Sequence, residues 1–139
     1  MPRVVLADTG PLYAGIDPDD QYHDRARDEL GLLNRRGISV ALAFPTFVEA
    51  YTIVLRRLGS KRAIRFGREI VDGSELLNPS PEDYHQTLAR LAQHADLQAT
   101  MFDGVAVVLS ERLRLPVWTY DEHLRVLGAT IWDPADYTE

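Results

Sequence analysis

Arg3-Val4-Val5-Leu6-Ala7-Asp8-Thr9-Gly10-Pro11 opens the chain with a short apolar run that stops at an acid and a turn. A run of this kind, closed by Gly and Pro, reads as a buried strand. Its last side chain, Asp8, is then delivered to the edge of a sheet. In open α/β sheets ligands bind at that edge, outside the carboxyl ends of the strands. An unpaired acid at the end of a buried strand is costly, so a purely structural role explains Asp8 poorly.

The rest of the chain repeats the alternation of strand and helix. Residues 11–14 form a helical turn, and a polar loop, Asp17-Pro18-Asp19-Asp20, leads to a helix over 22–36 with Ala26, Leu30 and Leu33 on its apolar side. Residues 38–42 read as a second strand. Phe47, Ala50, Tyr51, Val54 and Leu58 then recur at helical spacing until Gly59 breaks the helix, and Ala63, Phe66 and Ile70 continue in a second one. Residues 46–71 are therefore expected to protrude as a helical hairpin. A weak strand is expected over 74–78 and a helix over 82–94, with Tyr84, Leu88 and Leu91 on one side. A helix over 102–113 carries an apolar stripe of Phe102, Val105, Ala106, Leu109 and Leu113. Strands over 116–119 and 129–132 flank a short helix that opens at Asp121, and Asp133-Pro134 reads as a simple end. This alternation predicts one α/β domain, residues 1–139, with a parallel sheet and helices on both faces.

The 139 residues are enough for one domain with a real core. The chain has no cysteine, which removes disulfides, thiolate metal sites and thiol nucleophiles and suits a reducing cytoplasm. No signal-peptide pattern or transmembrane-length apolar stretch is present in the sequence. The net charge is −6, against nonspecific binding to nucleic acid. Yet Arg56, Arg57, Lys61, Arg62, Arg65 and Arg68 lie together with no acid among them. Such a strip could meet a polyanion locally. Its plainer role is a solvated helix face paired with Glu69 and Asp72.

Four strand-to-helix junctions each supply an acid: Asp8, Glu49, Asp103 and Asp121. Three have local alternatives. Thr46-x-x-Glu49 and Thr100-x-x-Asp103 fit a capping box, and Asp121 fits an N-cap. Glu49 lies opposite the Phe47/Tyr51/Val54 stripe, so it must face solvent or a solvent-filled cleft. If the four meet, they need counter-charge, because two carboxylates 4 Å apart repel by roughly 4 kcal/mol at an effective dielectric near 20. An all-oxygen set suits Mg²⁺ or Mn²⁺ rather than Zn²⁺, and such sites serve phosphate chemistry. The hydroxyls of Thr9 and Thr119 could orient water or a carboxylate, or serve only as turn residues.

At these residues the sequence resembles a known family. Leu6-Ala7-Asp8-Thr9-Gly10-Pro11-Leu12-Tyr13-Ala14 resembles the opening motif of PIN-domain nucleases, and Phe47-Val48-Glu49-Ala50 the helical glutamate of that family. Residues 97–104, ending Phe102-Asp103-Gly104, resemble its third-acid segment, and Val117-Trp118-Thr119-Tyr120-Asp121 its T-x-D signature. Gly104 departs from the usual alanine and is expected to loosen the helix start slightly. Leu124 departs from the usual phenylalanine. The resemblance, closest to the VapC-type toxins of toxin–antitoxin modules, implies a Rossmann-like sheet and a Mg²⁺- or Mn²⁺-dependent endoribonuclease. Asp8, Glu49, Asp103 and Asp121 would be catalytic, with Asp8, Asp103 and Asp121 holding metal. Asp96 would lie outside the set. The resemblance also implies RNA as substrate, a homodimer and a cognate antitoxin.

Two other readings fit some of these residues. A strand-end aspartate beside threonine is reminiscent of aspartyl-phosphate chemistry, but the single lysine, Lys61, lies in the hairpin. An acidic protein-binding module, its acids serving as caps, would bind no divalent metal. The four histidines show no ligand spacing and are assigned to the surface, and Trp118 and Trp132 to the core or an interface.

Overall fold

A computed structural model describes residues 2–137. Four strands, β1 (Val4–Ala7), β2 (Ser39–Ala43), β3 (Glu75–Leu77) and β4 (Val117–Trp118), form one sheet in the order β3-β2-β1-β4, with every pair parallel. Between them run α1 (Thr9–Ala14), α2 (His23–Arg35), α3 (Phe44–Leu58), α4 (Ser60–Gly73), α5 (Pro81–Gln93), α6 (Met101–Leu113) and, after β4, α7 (His123–Val126).

The period of two along the strands divides the core. Val5, Ala7 and Leu42 join Leu33 of α2, Ala50 and Val54 of α3, and Phe66 and Ile70 of α4 on one face. Leu6, Ala41 and Ala43 meet Val105, Ala106 and Leu109 of α6 on the other. Both faces are covered, which is why the strands read as continuous apolar runs. Fully burying Leu6 or Leu42, each with no exposed surface, is worth about 2 kcal/mol. No helix of the described residues is long and apolar enough to cross a membrane.

Several local expectations give way to the structure. α3 begins at Phe44, with Ala43 as its N-cap, so Thr46 lies inside the helix, buried, and makes no capping box with Glu49. Pro45 occupies the second helical position, where no N–H is needed. α6 is buried all round from Gly104 to Ser110 rather than along one stripe, because the sheet, α5 and the α7 segment enclose it. α5 is rotated from its expected stripe, of which Leu91 alone keeps an inward place, against Gly104. Tyr84 and Leu88 face outward, and Asp83 and Thr87 are buried.

A capping box and a fork of hydrogen bonds explain that turn of α5. Asp83 exchanges hydrogen bonds with Ser80 and receives Arg112 Nε and Nη2, each at 2.8 Å. Thr87 then fits over Gly104, where a Cβ would lie 2.7 Å from Thr87 Cγ2 and 3.2 Å from Leu91. Gly104 is thus a notch for α5.

The strand expected over 129–132 is reduced to one parallel bridge, Val117 with Ile131. Gly128, at φ 116°, turns the chain in from α7, and a 3-10 turn over Pro134–Tyr137 takes it away after a single bridge. That turn is no simple end. Tyr137 is buried, its hydroxyl accepts Trp132 Nε1 at 3.3 Å, and its carbonyl accepts Arg36 Nη2 at 2.8 Å. Thr138 and Glu139 lie outside the described residues.

Candidate active site

The strand order creates the site. From β1 the chain steps outward to β2 and β3, then returns through α6 to β4 on the other side of β1. The loops after β1 and β4 therefore part in opposite directions, leaving a crevice at the carboxyl ends of these strands. The Asp8 N–H donates to the Trp118 carbonyl at 2.9 Å, so the two strands stay paired up to its edge.

Asp8, Glu49, Asp103 and Asp121 all line one open cleft there, of about 380 Å³, together with Thr9, Thr119 and Arg57. Asp8 is buried. The Thr119 hydroxyl donates to its Oδ2 at 2.8 Å and accepts the Asp121 N–H at 3.0 Å. The Thr9 hydroxyl donates to Glu49 Oε1 at 2.5 Å. Each threonine thus holds a carboxylate. Glu49 is half-buried and turned to the cleft, as its position opposite the apolar stripe of α3 requires.

Asp103 and Asp121 have local partners as well. Asp103 completes a capping box with Thr100, accepting the Thr100 N–H at 3.2 Å. Asp121 Oδ1 accepts the His123 N–H at 2.9 Å and stands 3.0 Å from His123 Nδ1, while Glu122 takes the N-cap position of α7. Among the described residues, no group of three or more His, Asp or Glu side chains is arranged as a ready metal-ligand set. The local bonds take one oxygen of each carboxylate, Oδ2 of Asp103 and Oδ1 of Asp121.

The electrostatics of the cleft are unbalanced. Burial, with the charges of Asp103 and Glu49 adding, pushes the Asp8 carboxyl up to about 6, against the opposing hydrogen bonds from Thr119 and the Thr9 backbone. Burial and then the Asp103 charge also raise Glu49, against the Thr9 hydroxyl. Among the described residues no Arg, Lys or His forms an ion pair with Asp8, Glu49 or Asp103. Arg57 stands in the cleft wall, but its guanidinium lies over the Tyr13 ring, 5.1 Å from the centroid.

Of the basic strip, Arg57 is the member that lines the acid cleft. Arg62 donates to the Ile16 carbonyl at 2.9 Å, and Arg65 pairs with Glu69 at 3.3 Å. Lys61, Arg65 and Arg68 border a separate depression on α4, and Arg56 is exposed at the end of α3. Asp96 is exposed on a 3-10 turn and does not line the cleft. His123 and His85 are exposed, while His23 and His94 are partly covered, His23 through a 2.7 Å contact with the Ala14 carbonyl.

Sequence reasoning missed a buried acid behind the cleft. Glu29 of α2 is 5% exposed; its Oε1 accepts Trp118 Nε1 at 3.0 Å and the Tyr120 hydroxyl at 2.6 Å, and Oε2 accepts Arg25 Nε at 3.3 Å. Ala26, Glu29 and Leu33 stand at i, i+3 and i+7, so the spacing carried a signal: an acid on the apolar face.

The parallel four-stranded sheet, flanked by helices, matches the PIN-like α/β fold of known structures. The similarity to solved structures spans nearly all of the chain. VapC20 of Mycobacterium tuberculosis, a toxin that cleaves the sarcin-ricin loop, superposes with a TM-score of 0.82 at 16% identity, over 94% of this chain and 99% of that one. VapBC2 of Rickettsia felis, solved bound to a DNA fragment from its promoter, gives 0.72 at 12% identity, over 94% and 99%. FitAcB of Neisseria gonorrhoeae gives 0.67 at 18% identity, over 94% and 98%. At such identities the likeness is one of fold. No protein-family model and no curated protein matches the sequence.

Proposed function

We propose that this protein is a divalent-metal-dependent endoribonuclease that hydrolyses RNA phosphodiester bonds, acting as the toxin of a type II toxin–antitoxin pair. The observation that carries the reading is the meeting of Asp8, Glu49 and Asp103 at one cleft without a cationic partner among the described residues. Like charges gathered around a buried carboxylate call for a cation. The donor set is all oxygen, which fits Mg²⁺ or Mn²⁺. Asp8 and Asp103, with Asp121, would hold the ion. It would supply an activated water and neutralise charge on the phosphoryl group.

The chain's own groups do the rest. Thr119 fixes the Asp8 carboxylate and Thr9 fixes Glu49. Glu49, with its raised affinity for a proton, is suited to accept one from water as a general base. Arg57, uncommitted to the acids, is placed to meet a phosphate of the RNA backbone. The remaining cations of the strip would act at longer range.

The toxin assignment, the cognate antitoxin, a homodimer and a cytoplasmic location belong to the same reading; the fold shared with VapC20 and VapBC2 supports it. A labelled RNA incubated with the protein tests the chemistry. Cleavage in Mg²⁺ or Mn²⁺ that stops in EDTA and in Asp8→Asn is expected. Cleavage unaffected by both would refute it.

A further inference from the structure

Beside the acids, the same cleft is bordered by two aromatic rings, Tyr22 and Tyr120. Their centroids are 5.1 Å apart with the planes at 52°. The Arg25 guanidinium lies 4.1 Å from the Tyr120 centroid and 5.8 Å from that of Tyr22. Beneath them is Glu29, whose carboxylate takes the Tyr120 hydroxyl, the Trp118 indole N–H and Arg25 at once. A buried acid with three donors is a costly way to fill space, but it fixes a ring. Tyr120 cannot turn without abandoning Glu29, and Arg25 is held over it.

Tyr22 is the more exposed of the two rings. It is 39% exposed, yet its backbone is pinned by the bond from its N–H to Asp20 Oδ1 at 2.8 Å. A flat ring, partly open, seated against a second ring and placed beside the acids, has the features of a base-stacking platform. Sequence-tolerant recognition of single strands works in this way, with aromatic faces receiving unpaired bases while charges follow the backbone.

We propose that Tyr22 stacks one unpaired base of a single-stranded RNA whose backbone crosses the acid cleft, with Tyr120, Arg25 and Glu29 as positioning residues beneath it. This rests on the nuclease reading of the acids. Stacking selects single-stranded segments, loops and ends over duplex, in which the bases are already stacked on one another.

The test uses the full chain carrying Asp8→Asn, so that RNA is not cut. Binding of fluorescent hexaadenylate is compared with that of a hexamer of abasic ribose phosphates. Tyr22→Ala is expected to weaken hexaadenylate binding roughly 10-fold, to leave the abasic hexamer unchanged, and to be rescued by Tyr22→Phe. Equal binding by Tyr22→Ala and its parent, the same loss for both hexamers, or no binding of hexaadenylate by the parent would overturn the inference. Cleavage by the unsubstituted chain separates the two claims. A protein that cuts RNA while its Tyr22→Ala variant binds and cuts unchanged loses the stacking site and keeps the nuclease. One that cuts nothing, yet binds bases through Tyr22, does the reverse.

Discussion

The Thr119 hydroxyl donates to Asp8 Oδ2 at 2.8 Å across 111 positions of sequence, and so ties the end of β4 to the end of β1. It is the largest influence lowering the Asp8 carboxyl against the effect of burial. Thr119→Val keeps the shape and removes the donor, and it also takes away the acceptor of the Asp121 N–H. A loss of about 1–2 kcal/mol in chemical denaturation is expected. The acid limb of the cleavage pH profile should move upward, because Asp8 then ionises less readily.

The raised Asp8 carboxyl makes stability depend on pH. Its proton affinity in the folded protein, about 6, exceeds the ordinary 3.8, so the folded state binds the extra proton between those values. Its contribution is fully present below about pH 3.8 and is lost as pH rises through 6. Asp8→Asn should therefore be more stable than the natural chain in metal-free buffer at pH 8, by on the order of 3 kcal/mol. That advantage should vanish at pH 4. Paired melting curves at the two pH values check this, and an advantage that is flat with pH would contradict it.

Gly104 admits no side chain without movement of α5. A Cβ there would stand 2.7 Å from Thr87 Cγ2. Gly104→Ala should cost about 1–3 kcal/mol by overpacking, despite the better helix propensity of alanine. Thr87→Ser removes Cγ2 and keeps the hydroxyl that donates to the Asp83 carbonyl. The double variant should recover most of the loss in urea denaturation.

Asp83 is 2% exposed and is held by the fork from Arg112, which keeps its carboxyl below the usual range. Arg112→Ala leaves that carboxylate buried without its cation. Half of the arginine is in solvent, which screens the pair, so about 2 kcal/mol is expected rather than the larger loss of a fully buried pair. As a lowered carboxyl, Asp83 stabilises the fold above its ordinary value and loses that effect as pH falls. The difference between the natural chain and Arg112→Ala should therefore shrink in acid.

Where periodicity spoke for one face, the sequence was readable. The run before Asp8, the stripe of α3 and the break at Gly59 each locate an element correctly; of the four acids, Asp8 and Asp121 follow closely on a strand, while Glu49 lies within α3 and Asp103 opens α6 after a helix and a 3-10 turn rather than after a strand. What was hidden depended on contacts between distant residues. The face of α5 was decided by Arg112 and Gly104, which no pattern within 82–94 reveals. The all-round burial of α6 required knowing what lies on its far side. The start of α3 at Phe44 removed a capping box that Thr46 and Glu49 had suggested. At the site itself the opposite held: the box between Thr100 and Asp103 formed, and Asp103 still lines the cleft. Local capping and a place in the cleft are thus not exclusive. The Glu29 network was hidden because two of its donors, Trp118 and Tyr120, lie 89 and 91 positions away in the sequence.

The central claim is that Asp8, Glu49, Asp103 and Asp121 share a cleft whose charge a divalent cation balances. Titration calorimetry with Mn²⁺ at pH 7.5, on the natural chain and on Asp8→Asn, addresses it directly. The account predicts saturable binding to the natural chain and its loss in Asp8→Asn. Equal heats from the two proteins, or no binding to either, would contradict it.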